Sequence, residues 1–298
     1  MHLAIYSSKV RYLDETLKFA ARCATSLAAM VAMAALVADS ARAADELDMR
    51  SELSPFSLRL GVYDMNLSTV VRVDGQGGNF GTRLNFEKDL NLADNKDTFN
   101  AALRWRFKER HFVELEYFRL DRSGFRRLDG EIRFGDSVFP VGANIRSSFT
   151  TEVTRLGYSY RVVRNQDWGL DVGAGLHVTR LRAALTQVAF DNSNVPIGEA
   201  EIAKVTAPLP VIGLGGARRL GKKWALLARA QFFAADIDDI DGTIKHGAIY
   251  FEHDTFDNFG FGVGYDWFVI DIKAEEEFWV GRTQVKFDGP MLFLKGSF

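Results

Sequence analysis

The sequence predicts an all-β chain, a closed antiparallel up-and-down transmembrane β-barrel of about ten strands. Three observations predict it. Apolar and polar residues alternate with a period of two from about Phe56 to the last residue, the pattern of strands whose two faces meet different surroundings. Each apolar face runs for about 9 to 11 residues, the length a tilted strand needs to cross a bilayer. The connections between these segments come in a short set and a long set, as in barrels with tight turns at one rim and loops at the other.

The N-terminal segment stands apart from this pattern. Leu27 to Ala38 form an apolar, alanine-rich run preceded by Lys18 and Arg22 and followed by Ala41-Arg42-Ala43, the grammar of a secretory signal cut after Ala43. Its dozen apolar residues are too few for a spanning helix, which needs roughly 20. Residues 1–43 are therefore expected to be a cleaved signal peptide that engages the secretion translocon, and 44–298 a single barrel domain. Cys23 is the only cysteine and precedes the apolar run, so the mature chain would carry no disulfide, zinc thiolate, cysteine nucleophile or lipid-bearing cysteine. Removing the segment leaves 32 basic against 36 acidic residues, a formal charge of −4, which gives no electrostatic case for nucleic-acid binding.

Beyond Ala43 no apolar run approaches the length of a spanning helix. The longest, Ala207 to Ala217, is broken by Pro208 and Pro210. Strands are expected near 56–65, 99–107, 111–120, 149–163, 168–182, 207–220, 224–236, 243–253, 258–272 and 286–298. From Phe99 to Phe107, for example, one face reads Phe, Ala, Leu, Trp, Phe and the other Asn, Ala, Arg, Arg. Short turns fall at 108–110, 164–167, 221–223 and 254–257, and longer loops near 66–98, 121–147, 184–205, 237–242 and 273–284. This arrangement puts both termini at the periplasmic rim. Val70–Val73, Thr82–Phe86 and Glu131–Phe134 are either loop hairpins or further spanning strands, which leaves eight or twelve strands open.

Alternation alone does not say which face is outside, because soluble barrels share the period with the faces exchanged. Glycines on the polar faces, at 169/173/175 and 260/262/264, suit a crowded lumen better than open solvent. Trp105, Phe107, Trp168, Trp224 and Phe259 sit where strands meet short turns, as an interfacial girdle would. Both point to apolar-out and polar-in.

The last strand places Leu292, Leu294, Gly296 and Phe298 on one face and Met291, Phe293, Lys295 and Ser297 on the other. On these residues and the N-terminal signal the chain resembles the Gram-negative outer-membrane β-barrel family, and in pattern its small OmpA-like and OmpW-like members. The resemblance implies a place in the cell outer membrane, in contact with its lipid and lipopolysaccharide. It also implies insertion by the barrel-assembly machinery, which recognises a terminal strand ending in Phe. The role it implies is structural or porin-like passage of small solutes; a membrane-embedded enzyme acting on lipid A or peptides at the outer rim is the rival.

With the polar faces inward, Arg104 and Arg106 are expected opposite Glu114 and Glu116, while Arg59, Arg155, Arg161, Asp171 and Asp266 also point into the lumen. A barrel of this size has a lumen barely wider than its side chains, so these charges are expected to form an ion-pair plug. Of His111, His177, His246 and His253, only His177 has a buried polar setting, and no Ser-x-His or Asp–His signature accompanies it. No catalytic residue is expected. Asp236, Asp238, Asp239 and Asp241 near Gly242 lack the later bidentate Glu of a calcium loop, so neither metal nor cofactor is expected. Gly213-x-Gly215-Gly216 falls within a strand and is no phosphate loop.

Overall fold

The structure is a computed structural model that describes residues 54–75, 79–165, 167–190, 196–197, 200–237, 240–276 and 279–298. The expected signal segment 1–43, together with Asp238 and Asp239, lies outside the described residues. Among those described, ten long strands build the wall: β1 (Phe56–Asp74), β2 (Asn95–Lys108), β3 (His111–Arg127), β4 (Asn144–Arg164), β5 (Trp168–Gln187), β6 (Ala200–Arg219), β7 (Trp224–Ile237), β8 (Ile240–Asp254), β9 (Phe259–Glu276) and β10 (Trp279–Ser297). Each pairs antiparallel with its chain neighbours, and β10 returns to β1 from Ser57↔Ser297 to Asp74↔Val280, so the barrel closes. No described helix is long and apolar enough to cross a membrane.

All ten expected strands are present, but most run further toward the long-loop rim than the sequence reading gave them. Val70–Val73 is simply more of β1, and 144–148, 183–187 and 200–206 likewise extend β4, β5 and β6. Ile132–Phe134 and Ser137–Phe139 form a small hairpin outside the wall, and Leu84–Asn85 pairs with Val70 and Val71. The strand count is therefore ten.

The physical reason for the extra length is a reversal of polarity along each strand while the period of two continues. On β1 the outward residues are Phe56, Leu58, Leu60 and Val62, then Asp64, Asn66 and Ser68; inward, Arg59 and Gly61 give way to Tyr63, Met65 and Leu67. On β5, outward Trp168, Leu170, Val172 and Leu176 give way to Arg180 and Arg182, and inward Asp171 and His177 to Leu181, Ala183 and Leu185. The half nearer the short turns is apolar outside and polar inside, whereas the half nearer the long loops is built like a soluble barrel, with its apolar face shielded from water.

That outer half has a dense core. Phe268 stacks on Phe287 with ring centroids 4.6 Å apart, and Phe118 meets Phe287 edge-on at 5.4 Å. Burying each such side chain stabilises the fold by about 1.5–3 kcal/mol. A short helix, α1 (Phe86–Leu90), begins at Asn85, whose side chain accepts from the Lys88 amide, and ends at Asn91 in the left-handed conformation. It delivers Phe86 against Phe149, ring centroids 5.4 Å apart. Arg122 of β3, buried beneath it, donates to Glu87 at 2.6 Å and to the Ala93 carbonyl at 3.0 Å, which ties the segment over the core.

Around the other rim, Phe56, Trp105, Phe107, Trp168, Trp224 and Phe259 all point outward, and Phe56 stacks on Trp105 at 6.0 Å. Leu292 and Leu294 on β10, and Phe298 just past its end, face outward, while Met291, Phe293, Lys295 and Ser297 face the lumen. Lumen glycines leave room for large neighbours: a Cβ on Gly262 would run into the Phe293 ring, and one on Gly264 into Tyr250. One seam is incomplete. β6 pairs with β5 throughout, but with β7 only from Ile212↔Phe232 to Arg219↔Ala225, so among the described residues Ala200–Val211 is backbone-paired on one side only. Pro208 and Pro210 sit in this edge segment, where a missing backbone N–H removes no ladder bond.

Candidate functional site

The polar half of the lumen collects charged side chains from at least nine of the ten strands. Its centre is Glu116 of β3, which forms an ion pair with Arg155 of β4, accepts from Arg229 of β7 at 3.0 Å and from Asn100 of β2 at 2.7 Å. Arg229 also pairs with Glu114 and reaches the Tyr250 hydroxyl at 3.1 Å. Beside this knot, His246 of β8 lies 3.0 Å from Asp266 of β9 and 3.0 Å from the Gln231 side-chain oxygen, and the Tyr63 hydroxyl donates to the Asp266 carbonyl at 2.9 Å. Nearer the short-turn rim, Arg161 grips Asp171 with two hydrogen bonds of 2.7 and 3.1 Å, and Lys295 bridges Glu252 and Asp254 at 2.8 Å each.

The sequence placed these acids and bases in the lumen but misassigned their partners. Arg104 does stand opposite Glu114, yet Glu116 stands opposite Ala102, and Arg106 opposite Phe112. The carboxylates reach across to Arg229 on the far wall, because in so narrow a barrel an arginine side chain spans the lumen as easily as it spans a ladder. Arg104 approaches Asp171 at 4.0 Å and lies over the Phe112 ring at 4.1 Å. Arg229, Glu252, Lys295 and Tyr250 complete the network and were missed. The alternation of β7 around Arg229 is masked by alanine and leucine on both faces, so parity counted from the Trp224 turn was the one available signal.

Among the histidines, His177 is buried as expected, with its Nε2 3.0 Å from Gln231 and its Nδ1 unpartnered among the described residues. His246, given no buried setting in the sequence reading, is the one joined to a carboxylate. His111 meets the Tyr158 hydroxyl at 2.7 Å, and His253 packs against Trp224. Among the described residues no three His, Cys, Asp or Glu side chains converge as a metal site. Asp236 and Asp241 are cross-strand partners at the end of the β7–β8 hairpin.

A closed antiparallel barrel of ten strands, with an apolar outer band, a charged lumen and an aromatic ring at the short-turn rim, has the fold of the Gram-negative outer-membrane β-barrels. The structure is similar to that of the outer membrane protease OmpT from Escherichia coli, with a TM-score of 0.51 and 12% sequence identity over 82% of this chain and 97% of that one. Looser likenesses link it to the translocator domain of autotransporter NalP from Neisseria meningitidis (TM-score 0.42, 12% identity, 92% of this chain and 98% of that one) and to the Pseudomonas putida toluene transporter TodX (TM-score 0.34, 8% identity, 83% and 91%). At such identities the likeness to OmpT shows the fold alone. No protein-family model matches the sequence. No curated protein matches it either.

Proposed function

We propose that this chain resides in the outer membrane as a sealed barrel, a structural element that carries an ordered outer surface and passes no solute. The observation that carries this reading is two seals in series. The ion-pair network crosses the polar half, and above it Tyr63, Met65, Phe118, Phe268 and Phe287 are each no more than 3% exposed. An ion on that path would shed its water among groups that offer no replacement, and even the effective cost in a relaxed protein is several kcal/mol.

The location is supported by the fold and the rim of aromatics. On this reading the secretion translocon and the barrel-assembly machinery are partners in biogenesis, and lipid and lipopolysaccharide are partners afterwards. Arg182 and Lys204 point outward as a directly opposed like-charged pair just past the apolar band, beside Arg180, where lipid phosphates would offset their repulsion. The reading includes no catalytic step. Purified barrel in planar bilayers tests it: no unitary conductance is expected at either polarity, and steady conductance steps at the level of a small porin would overturn it.

A further inference from the structure

Between the charged groups the lumen holds a cavity of about 110 Å³, room for several waters or a small ion. Five guanidinium groups line it, those of Arg59, Arg104, Arg155, Arg161 and Arg229. The carboxylates in its wall are Glu114 and Asp171. Most of the positive charge is already matched: Arg161 is held by Asp171 in two hydrogen bonds, and Arg155 and Arg229 share Glu116. Arg59 is different. Its guanidinium lies 4.3 Å over the Tyr250 ring and 5.2 Å over Phe293, and its approach to Glu252 is 3.7 Å, beyond hydrogen-bond range. Glu252 itself is held by Lys295 at 2.8 Å.

Arg59 also lines a second cavity of about 50 Å³ nearer the rim, so its fork stands between two open spaces. The side chain is 13% exposed. A guanidinium offers five donors in a fixed plane, suited to two oxygens of one anion, and the 3.7 Å ion pair with Glu252 leaves that fork open toward both cavities. Solvent reaches this level from the short-turn side, since side-chain exposure is 28% at Glu114 and 22% at Arg104 but 2% at Glu116, beneath the apolar core.

We propose that the lower lumen is a binding site for a small oxyanion, entering from the periplasmic rim and held by the Arg59 fork. This goes beyond the sealed-barrel reading and survives or fails separately from it. The test is calorimetric titration of the full mature barrel in detergent with inorganic phosphate, and separately with acetate, at ionic strength fixed with sodium chloride. The expected result is saturable one-to-one binding of at least one of them, weakened at least tenfold in Arg59→Gln and unchanged in Arg180→Gln on the outer wall. Phosphate alone would assign the site to a tetrahedral oxyanion and acetate alone to a carboxylate. If Arg59→Gln does not fold, Leu227→Phe keeps every charge and narrows both cavities, and it should weaken binding likewise. Absence of saturable binding by either anion in the wild type, or binding by the variants as tight as the wild type's, overturns the proposal.

Discussion

At the scale of single residues, Glu116 holds the lumen together, since two arginines and an asparagine converge on a carboxylate whose side chain is 2% exposed. Glu116→Gln should leave Arg155 and Arg229 short of a buried acceptor and cost about 3–5 kcal/mol, read as urea-induced unfolding in detergent. Arg180→Gln removes an outer ion pair to Glu152 whose arginine is 58% exposed, and should cost about 0–1 kcal/mol. Equal, small losses in both variants would mean that the lumen is filled with water. Phe298 presents the other extreme. At 69% exposed it would contribute about 2–3 kcal/mol by burial in lipid, yet Phe298→Asp is expected to cut the amount inserted in cells far more than it destabilises barrel refolded in detergent. Normal insertion would contradict a terminal recognition signal. Which residues face the lumen was legible from parity, as for Arg155, Arg161, Asp171 and Asp266. Who binds whom was not, because Glu116 and its partner Arg229 lie 113 positions apart, joined only once the barrel closes.

At the scale of elements, the sequence located every barrel strand by its end at the short-turn rim and lost most of them toward the other. A reading keyed to apolar-out alternation ends a strand where the sign changes, near Val62 on β1 and Val178 on β5, although the backbone continues to Asp74 and Gln187. The better signal is parity held through a change of sign. The unpaired edge of β6 carries its own prediction. A strand with one neighbour bonds alternate amides only, and Pro208 and Pro210 mark the open side. The amides of Lys204 and Thr206 should therefore exchange with solvent faster than those of Ala203 and Val205, on the order of tenfold or more, in hydrogen-exchange measurements on the folded barrel. Equal protection along the segment would mean that β7 pairs there after all.

At the scale of the whole molecule, the proposed location gives one closed sheet two solvents, with lipid against the outer face of one half and water against that of the other. The core follows the change: charged where lipid forms the outer shell, apolar where water does. This division underlies the sealed lumen and the position of the basic residues outside. It is tested most directly by nitroxide labels at single cysteines along the outward face of β5, introduced into residues 44–298, which hold no cysteine of their own. Labels at Leu170, Ala174 and Val178 should be relaxed mainly by oxygen, which concentrates in lipid. Those at Arg182 and Thr186 should be relaxed mainly by a water-soluble nickel chelate, with the crossover between Val178 and Arg182. Chelate access at all five positions would contradict a membrane-facing band, and oxygen dominance at all five would contradict the reversal of polarity.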